Sequence, residues 1–372
     1  METRSDKRTY RVALVGVSEG HWSSIAHLPA LAHSDRLELA VLVTSNAASA
    51  AAAQERWGIR STADLTEVLA DPGIDLVAIT VRVTKHVELV LAALAAGKSV
   101  YCEWPLAPSL DDAKRLHAAA AAHPGQLLIA GLQGRFSPTL AAARTYLSDR
   151  RLGTLVGARV RVFVSLGLLP RPQHRAHLRH RRTGANVLTI QAAHAIDMLS
   201  QLIGQPTVLH ARIWSAVPEF TIAETGERVS RDAPDNVLVE LDYGGTVVSV
   251  HASQTSARSI GEIELMGTEA TLRMSTTGQP ESAAMDLEFH DLRSGNAEFH
   301  TAEDLAAKYE SSLAVTAPAF TLNLAYAAVA EALDSTSGNL AADLGLLADV
   351  RAAVQLQALI ADIESRAGLN AS

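Results

Sequence analysis

Arg11-Val-Ala-Leu-Val-Gly16 is a short apolar run that ends in glycine, and the loop Val17-Ser-Glu-Gly20-His-Trp-Ser23 follows it directly. A run this short suits a buried strand of a parallel sheet better than a helix. Glycines after a first strand permit a tight turn that brings backbone N–H groups to a pyrophosphate at a helix N-terminus. The usual three-glycine spacing is absent, so the turn alone is a weak motif and its context decides its meaning.

That context is an alternation of strands and helices that continues to about residue 132. Residues 37–43 (LELAVLV) are predicted to form a second strand, and residues 47–57 an alanine-rich helix closed by Gly58. Further strands and helices follow in the same rhythm, at residues 76–81, 87–96, 99–103, 110–122 and 126–132, after a first helix at 22–32. Strands spaced by helices of this length require a parallel sheet with right-handed crossovers. We therefore predict an α/β, doubly wound Rossmann domain over residues 1–132.

After Thr154 the pattern changes to consecutive strands without intervening helices. They are predicted at residues 155–164, 208–213, 237–241, 246–253, 262–265 and 270–274. Gly244-Gly245 between two of them is a hairpin signal. Residues 133–372 are thus predicted to form an α+β domain with a mostly antiparallel open sheet, whose helices at 318–365 are free to pack back on the first domain. Two domains suit a chain of 372 residues.

Composition excludes several classes of protein. The chain is 48% hydrophobic and 19% charged, which is typical of a packed globular protein. Its net charge of −8 argues against nucleic acid and anionic membranes as partners. Residues 1–10 are polar with no apolar segment behind them, so we expect a cytoplasmic protein. Cys102 is the only cysteine, which excludes an internal disulfide and a cysteine-cluster metal site.

The end of the second predicted strand leaves the choice between NAD and NADP open. It reads Val43-Thr-Ser-Asn46, without the acidic residue that commonly binds the adenosine ribose or an arginine for a 2′-phosphate. The hydroxyl and amide groups of Ser45 and Asn46 suit either a ribose hydroxyl or a phosphate. Alternatively, these two side chains cap the following helix.

Several segments together resemble one known family. They are His27-Leu-Pro-Ala30, Ala96-Gly-Lys-Ser-Val-Tyr-Cys-Glu-Trp-Pro-Leu-Ala107, Gly131-Leu-Gln-Gly-Arg-Phe-Ser-Pro138, Leu152-Gly153 and Gly184-Ala-Asn-Val-Leu-Thr-Ile-Gln-Ala-Ala-His194-Ala-Ile-Asp197. Over nearly its whole length the sequence resembles the glucose-fructose oxidoreductase/inositol dehydrogenase (Gfo/Idh/MocA) family. The long first loop, the tryptophan after Glu103 and the Val-Leu-Thr-Ile before His194 resemble the branch that contains the galactose-regulon repressor.

The resemblance implies an N-terminal Rossmann domain that carries NAD or NADP, and a C-terminal domain whose open sheet mediates dimer or tetramer contacts. Typical members oxidise or reduce a carbon of a sugar or cyclitol. The family usually has Glu-Lys-Pro where this chain has Glu103-Trp104-Pro105, and it pairs an Asp with a His four residues later, where this chain has Ile190 and His194. The family histidine is therefore present, whereas the lysine and the aspartate are replaced.

His194 is accordingly the candidate catalytic acid or base, because proton exchange with an alcohol needs a group that titrates near neutral pH. The alternative is a buried, hydrogen-bonded core histidine. Gln191 and Asp197 lie three residues to either side and are candidates to bind substrate or orient the imidazole. Asp197 equally suits a surface or domain-contact carboxylate. Trp104 cannot exchange a proton as lysine does, so it is expected either to form an apolar wall of the substrate pocket or to pack between domains.

A basic segment precedes this helix. Residues 170–182 read PRPQHRAHLRHRR, and Arg175 and Arg179 are candidates to bind an anionic substrate through charge-assisted hydrogen bonds. A solvated loop or a subunit contact would explain the same composition. Arg82 and Lys85 are further cations that suit either pyrophosphate or solvent.

The predicted cofactor contacts are residues at the ends of the strands and in the loops that follow, namely Gly16, Ser18, Gly20, Trp22, Ser45, Asn46, Val81, His86, Glu103 and Pro105. The function predicted from them is NAD(P)-dependent hydride transfer to or from a sugar, a cyclitol or a glycosylated metabolite, by a homodimer or homotetramer without a metal. The alternative is a non-catalytic NAD(P)-binding sensor or transcriptional co-regulator, since the family lysine and aspartate are missing.

Overall fold

In the computed structural model, residues 8–281, 284–309, 313–314, 318–334 and 345–369 are described, and they form two compact units. Unit 1 draws on residues 1–107, 111–131 and 311–354. Unit 2 draws on residues 108–110, 132–310 and 355–372. The chain therefore returns to unit 1 after residue 310, and the predicted boundary at residue 132 does not by itself separate the two units.

Unit 1 contains, among the described residues, a seven-stranded sheet in the order β17-β6-β5-β4-β1-β2-β3. Its strands are β1 (Tyr10–Val15), β2 (Leu37–Val43), β3 (Ser61–Thr62), β4 (Leu76–Ile79), β5 (Ser99–Glu103), β6 (Leu128–Gly131) and β17 (Ala348–Asp349). All pairs are parallel except β17 with β6. The predicted doubly wound sheet is thus confirmed, with two short edge strands added that the sequence pattern does not indicate.

The helices that connect these strands are α1 (Leu28–Ala32), α2 (Ala47–Trp57), α3 (Leu65–Ala70), α4 (His86–Ala95) and α5 (Leu110–Ala122). Local signals fix α2 at both ends. The side chain of Asn46 accepts a hydrogen bond from the backbone of Ser49 at 2.9 Å, and Gly58 closes the helix in the left-handed conformation with φ 67°. These two residues account for the agreement with the predicted helix.

Helix α9 (Ala319–Asp334) belongs to unit 1 although it comes late in the chain. Asn323 donates a hydrogen bond to the carbonyl of Ala30 at 2.8 Å, and Arg36 pairs with Asp334 at 2.7 Å. These bonds attach α9 to the elements around α1 and β2, which explains why the helical segment returns to the first unit. A last helix, α10, spans Val350–Arg366.

Unit 2 contains, within the described part of the chain, an eight-stranded sheet in the order β16-β15-β14-β13-β7-β12-β11-β8. Its strands are β7 (Leu155–Phe163), β8 (Thr207–Trp214), β11 (Asn236–Tyr243), β12 (Thr246–Ser253), β13 (Ile260–Gly267), β14 (Ala270–Thr276), β15 (Asp286–Asp291) and β16 (Ala297–His300). Only the β12–β7 pair among them is parallel. The predicted mostly antiparallel sheet is confirmed.

The glycine pair of the predicted hairpin forms the turn between β11 and β12. Tyr243 pairs with Thr246, and Gly244 and Gly245 have φ of 65° and 98°. Positive φ at both central residues is what a two-residue hairpin turn of this type requires.

Besides most of α10 and several short helical turns, the described part of unit 2 contains three helices and a small two-stranded sheet. The helices are α6 (Pro138–Ser148), α7 (Ala193–Ile203) and α8 (Ala302–Ala306), and the small sheet pairs β9 (Glu219–Thr221) with β10 (Arg228–Ser230). Phe220, Ile222 and Val229 form an apolar cluster on it, against which Ala176 of the basic segment packs. Within the described residues, the chain contains no helix with the length and apolar character that crossing a membrane requires.

Candidate functional site

Gly16 places the turn after β1 in direct contact with the end of β4. Its φ is 99°, and a Cβ atom built there would lie 2.5 Å from Cγ1 of Val81 and 3.1 Å from the backbone nitrogen of the same residue. Such approaches are shorter than van der Waals contact, so only glycine fits. The backbone is thereby kept close to the carboxyl edge of the sheet, where a pyrophosphate binds in Rossmann domains.

The segment after this turn is helical over residues 22–32 as predicted, but its part Ser23–His27 is a π turn that continues directly into α1. Ser23 holds the loop in place, since its hydroxyl donates to the carbonyl of Gly16 at 3.2 Å and accepts from the backbone of Ser18 at 3.4 Å. The indole Nε1 of Trp22 is buried and has no acceptor among the described residues. A buried donor without an acceptor costs free energy unless a ligand or water supplies one.

These features fit the nucleotide that a Rossmann domain carries. Gly16 creates a close approach that a Cβ would fill, and Trp22 offers an unused donor in the adjoining loop. Gly20, with φ 70°, would have no atom within 4 Å of an added Cβ and so contributes conformational freedom rather than close packing.

At the end of β2, Asn46 caps α2, and its amide also donates to Ser45 at 3.2 Å. The capping alternative therefore describes Asn46.

His86 lies at the start of α4 and connects two turns of unit 1. Its Nδ1 is 2.9 Å from the carbonyl oxygen of Pro105, and its Nε2 is 3.0 Å from that of Val81. Burial lowers the pKa of His86 below its ordinary value, and the two carbonyls oppose that shift. Both ring nitrogens form hydrogen bonds within the protein, so the role of His86 in the structure is to stabilise these two turns. Lys85 pairs with Glu88 at 3.2 Å on the surface.

Glu103, at the end of β5, belongs to a buried polar group that sequence reasoning does not find. Its carboxylate lies 3.0 Å from Nε2 of His27, and Nδ1 of His27 lies 2.7 Å from the hydroxyl of Tyr326. His27 stands in a motif of the sequence, but Tyr326 is 299 residues away and nothing local indicates its role. The next residue, Trp104, is 6% exposed, and its peptide bond to Pro105 is cis.

His194 lies in the first turn of α7, in unit 2. His194 is 6% exposed, and neither ring nitrogen makes a hydrogen bond among the described residues. Burial lowers its pKa to about 3, so the ring is neutral at physiological pH. This differs from the alternative of a hydrogen-bonded core histidine, because the ring is buried but keeps its polar atoms available.

The start of the His194 helix is fixed by two residues upstream. Gly184 has φ 70°, and a Cβ there would lie 2.8 Å from Cα of Pro108. Asn186 accepts hydrogen bonds from the backbones of Leu188 at 2.9 Å and Thr189 at 3.3 Å. A π turn (Leu188–Ala192) then leads into α7. π turns of this kind occur frequently at functional sites.

Gln191 and Asp197, the two neighbours of His194 predicted to bind substrate, both form hydrogen bonds with other side chains of unit 2. Gln191 donates to Gln279 at 2.9 Å and accepts from Gln254 at 3.1 Å. Asp197 accepts two hydrogen bonds from Arg135, at 2.6 and 2.8 Å. Burial raises the pKa of Asp197, and the guanidinium of Arg135 opposes that rise. The structure thus gives Asp197 an internal partner rather than a place at the imidazole.

The basic segment of unit 2 is partly structural. Nε of Arg179 lies 3.0 Å from Nε2 of the adjacent His180, and the carbonyl of Arg179 accepts the backbone N–H groups of Asp232 and Ala233, each at 3.0 Å. Arg175 is half-buried and makes no side-chain hydrogen bond or ion pair within the described residues. Of the two predicted anion-binding arginines, Arg175 is therefore the available one.

Two family models match the chain. Residues 10–131 match the model described as the oxidoreductase family with an NAD-binding Rossmann fold, and residues 140–273 match the C-terminal domain of the same GFO/IDH/MocA family. The two matches cover unit 1 up to β6 and most of the large sheet of unit 2 up to β14.

Relatives of known activity include both dehydrogenases and regulators. The chain is 28% identical to the dehydrogenase aclE of Aspergillus oryzae over 252 residues, which is 64% of this chain and 68% of the relative. It is 26% identical to levoglucosan dehydrogenase of Pseudarthrobacter phenanthrenivorans, over 62% of this chain and 63% of the relative. It is 25% identical to the galactose/lactose metabolism regulatory protein GAL80 of Kluyveromyces lactis, over 80% of this chain and 70% of the relative. These alignments span about two thirds of the length of each relative.

Solved structures show the same fold over almost the whole chain. A super-repressor mutant of Gal80p from Saccharomyces cerevisiae superposes with a TM-score of 0.84 at 21% identity, covering 97% of this chain and 96% of that one. Levoglucosan dehydrogenase in complex with NADH and L-sorbose superposes with a TM-score of 0.78 at 21% identity, covering 97% of each chain.

Proposed function

Because this chain belongs to the Gfo/Idh/MocA oxidoreductase family, we propose that it is an NAD(P)-dependent oxidoreductase acting on a sugar, a cyclitol or a related polyhydroxylated or glycosylated metabolite. The observation that carries the proposal is His194, which is 6% exposed and whose ring nitrogens make no hydrogen bond among the described residues. A neutral imidazole offers one donor and one acceptor, and both are therefore available to a ligand hydroxyl.

Unit 1 is proposed to hold the cofactor. Gly16, Ser18, Gly20 and Trp22 would bind the pyrophosphate, and Ser45 the adenosine ribose or its phosphate. Val81, Glu103 and Pro105 stand at the same carboxyl edge of the sheet, where His86 and His27 fix their surroundings through the contacts described above. NAD or NADP, when bound, supplies the hydride acceptor or donor.

His194 is proposed to exchange the proton. In the oxidation direction, a neutral ring nitrogen of His194 would accept the proton of the substrate hydroxyl while the hydride of the same carbon left to the bound nicotinamide. The imidazolium would then release the proton to solvent. Burial keeps His194 neutral at physiological pH, so a ring nitrogen is free to accept a proton, but its pKa of about 3 makes it a weak base until substrate or cofactor changes its surroundings. Trp104 is proposed to shape the substrate pocket without taking part in proton transfer.

The test is single-turnover absorbance in the nicotinamide band with a panel of sugars, cyclitols and glycosides. His194→Asn is expected to lower kcat by about 10²- to 10⁴-fold, the usual effect of losing a general acid or base, while cofactor affinity stays unchanged. His210→Asn, an exposed histidine on β8, is the matched control and should leave kcat unchanged. Equal kcat for wild type and His194→Asn would overturn the role of His194.

A second candidate function is a non-catalytic NAD(P)-binding sensor or co-regulator. Two observations favour it, namely Trp104 and Ile190 at the positions of the family lysine and aspartate, and the similarity to the GAL80 regulatory protein. Cofactor binding measured by fluorescence, together with no turnover of any panel member, would support this function over the first.

A homo-oligomer is proposed from the outer face of the large sheet. Leu238 on β11 and Val247 on β12 lie on the same face and are 39% and 52% exposed. Apolar side chains on an open sheet are typical of a subunit contact. Sedimentation velocity of the full chain and of Val247→Glu tests this, with the variant expected to shift toward monomer.

A further inference from the structure

Arg171, the second residue of the basic segment, is a buried cation that forms no direct ion pair among the described residues; Asp235, the nearby carboxylate, is paired with Arg231. It is 9% exposed, and its backbone is tied to β9 by a hydrogen bond to the carbonyl of Thr221 at 2.8 Å. Its Nε donates to the carbonyl of Leu166 at 3.0 Å, and its Nη2 donates to the side-chain oxygen of Gln254 at 3.1 Å. Its Nη1 makes no hydrogen bond in the described part of the chain and is not fully enclosed, so it is open to solvent or a ligand. The guanidinium is therefore held rigidly with one donor group unused.

The surroundings of Arg171 carry more positive than negative charge. Arg231, whose side chain is 2% exposed, forms an ion pair with Asp235 through Nη2, while its Nε and Nη1 have no acceptor among the described residues. Asp235 is shared with the backbone N–H groups of Ala216 at 2.7 Å and Val217 at 2.9 Å. Arg175 adds a third guanidinium without an ion pair in the described part of the chain.

This excess charge acts on Arg171. Burial, followed by the charges of Arg231 and Arg175, lowers the pKa of Arg171 to about 10, and the charge of Asp235 opposes that shift only in part. The group therefore stays protonated at physiological pH, although its surroundings disfavour the charge. A buried cation in this state is stabilised by an anion that reaches it.

Hydrogen bonds connect Arg171 to the helix that carries His194. Gln254, which accepts from Arg171, donates to Gln191 at 3.1 Å, and Gln191 donates to Gln279 at 2.9 Å. Gln191 lies in the π turn, three residues before His194. A chain of fixed side chains thus links the cation to the turn that leads into the candidate catalytic residue, all within unit 2.

We propose that Arg171, assisted by Arg175, binds a carboxylate group of the substrate, so that the substrate is an acidic polyol such as a uronate or an aldonate. This inference rests on the proposed function, since it assigns a substrate class to the site of His194. The two oxygens of a carboxylate match two guanidinium donors, Nη1 of Arg171 and the side chain of Arg175. A neutral sugar would add no negative charge to balance the three guanidinium groups, for which Asp235 is the one carboxylate that acts on Arg171.

Isothermal titration calorimetry on the full chain, saturated with NAD⁺ or NADP⁺, tests the proposal. The probes are galacturonate, glucuronate and gluconate, each compared with its neutral counterpart, galactose, glucose or glucitol. At least one acidic member is expected to bind about tenfold or more tightly than its counterpart. The advantage should fall to less than about twofold in Arg171→Met. No advantage for any acidic member would overturn the proposal, as would an equal advantage for galactose 6-phosphate.

Two further variants keep the test decisive if Arg171→Met does not fold. Arg175→Gln changes a half-buried side chain that makes no bond in the described structure, and it should weaken binding of the preferred acid by about threefold or more. Arg182→Gln removes an exposed charge of the same segment and should leave the affinity unchanged. Equal losses in both variants would indicate a general field effect and overturn the site.

Failure of this proposal is distinguishable from failure of the proposed function. Acid binding that depends on Arg171, without any hydride transfer, would keep the carboxylate site and overturn the redox activity. Turnover of neutral polyols that is insensitive to Arg171→Met and Arg175→Gln would keep the redox activity and overturn the carboxylate site.

Discussion

Arg135 and Asp197 form a buried, two-point ion pair across 62 positions of the sequence. Nε of Arg135 lies 2.8 Å from one carboxylate oxygen of Asp197, and Nη2 lies 2.6 Å from the other. The arginine comes from the turn after β6 and the aspartate from α7, one turn beyond His194. The pair therefore fixes the helix on which the candidate catalytic histidine stands.

Removing one partner is expected to destabilise the protein strongly. Asp197→Asn leaves the charge of Arg135 buried without a counter-ion, which typically costs about 3–5 kcal/mol of unfolding free energy. Urea denaturation of the variant and the wild type measures the difference. Glu269→Gln, which breaks the exposed pair with Arg293 at 2.8 Å, is the control and should cost less than about 1 kcal/mol. Equal losses in the two variants would contradict a structural role for the buried pair.

The turn after β1 yields a second prediction. Gly16→Ala would place a Cβ 2.5 Å from Cγ1 of Val81 at a φ of 99°, so the turn must shift away from the sheet edge. We expect the dissociation constant for NADH or NADPH, measured by fluorescence titration, to rise by about tenfold or more. Gly97→Ala is the control, because φ there is 75° but no atom lies within 4 Å of the new Cβ. Unchanged cofactor affinity in Gly16→Ala would contradict the assignment of this turn.

His194 makes stability depend on pH. Its pKa falls from 6.5 to about 3 on folding, so below about pH 6.5 the unfolded chain binds a proton that the folded chain excludes. The contribution is therefore unfavourable on the acid side, and the unfolding free energy falls by about 1.4 kcal/mol for each pH unit below that value. His194→Gln removes this loss. Between about pH 7 and pH 5, the variant is expected to lose about 2 kcal/mol less than the wild type in chemical denaturation. Parallel curves for the two proteins would show that His194 is not held neutral.

Much of the fold follows from local sequence signals. The helix Ala47–Trp57 is predictable at both ends because Asn46 and Gly58 are strong cap residues, and the hairpin at Gly244-Gly245 because its turn requires positive φ. The strands β3, β9, β10 and β17 are not predictable, since two or three residues are too few to establish a periodicity. The helix over residues 22–32 is predictable, but the π hydrogen bonding of its part Ser23–His27 is not.

The candidate site is harder to predict from the sequence than the fold is. A motif identifies His194, but its lack of hydrogen bonds among the described residues is a property of the packed structure. Composition points to Arg175 and Arg179 rather than Arg171, because it does not reveal which cation of a basic segment is buried. Likewise, Arg135 contacts Asp197, and Tyr326 contacts His27, only because the fold brings together residues that are far apart in the sequence. Local patterns carry no information about such pairs.

Ile190 allows the missing family carboxylate to be restored. It is half-buried, in the π turn four residues before His194, and so lies about one helical turn from the imidazole. Ile190→Asp would place a negative charge near the ring, which favours its protonated form and typically raises a pKa by about 1–3. A pKa closer to neutrality makes a histidine a better proton acceptor, so kcat for polyol oxidation should rise. NMR titration of the imidazole and single-turnover kinetics measure the two effects. Ile190→Asn, of the same size and polarity but without charge, is the matched control. If the asparagine and aspartate variants give the same imidazole pKa, the charge at position 190 does not act on His194. The absence of the family aspartate then has no effect on proton transfer by His194.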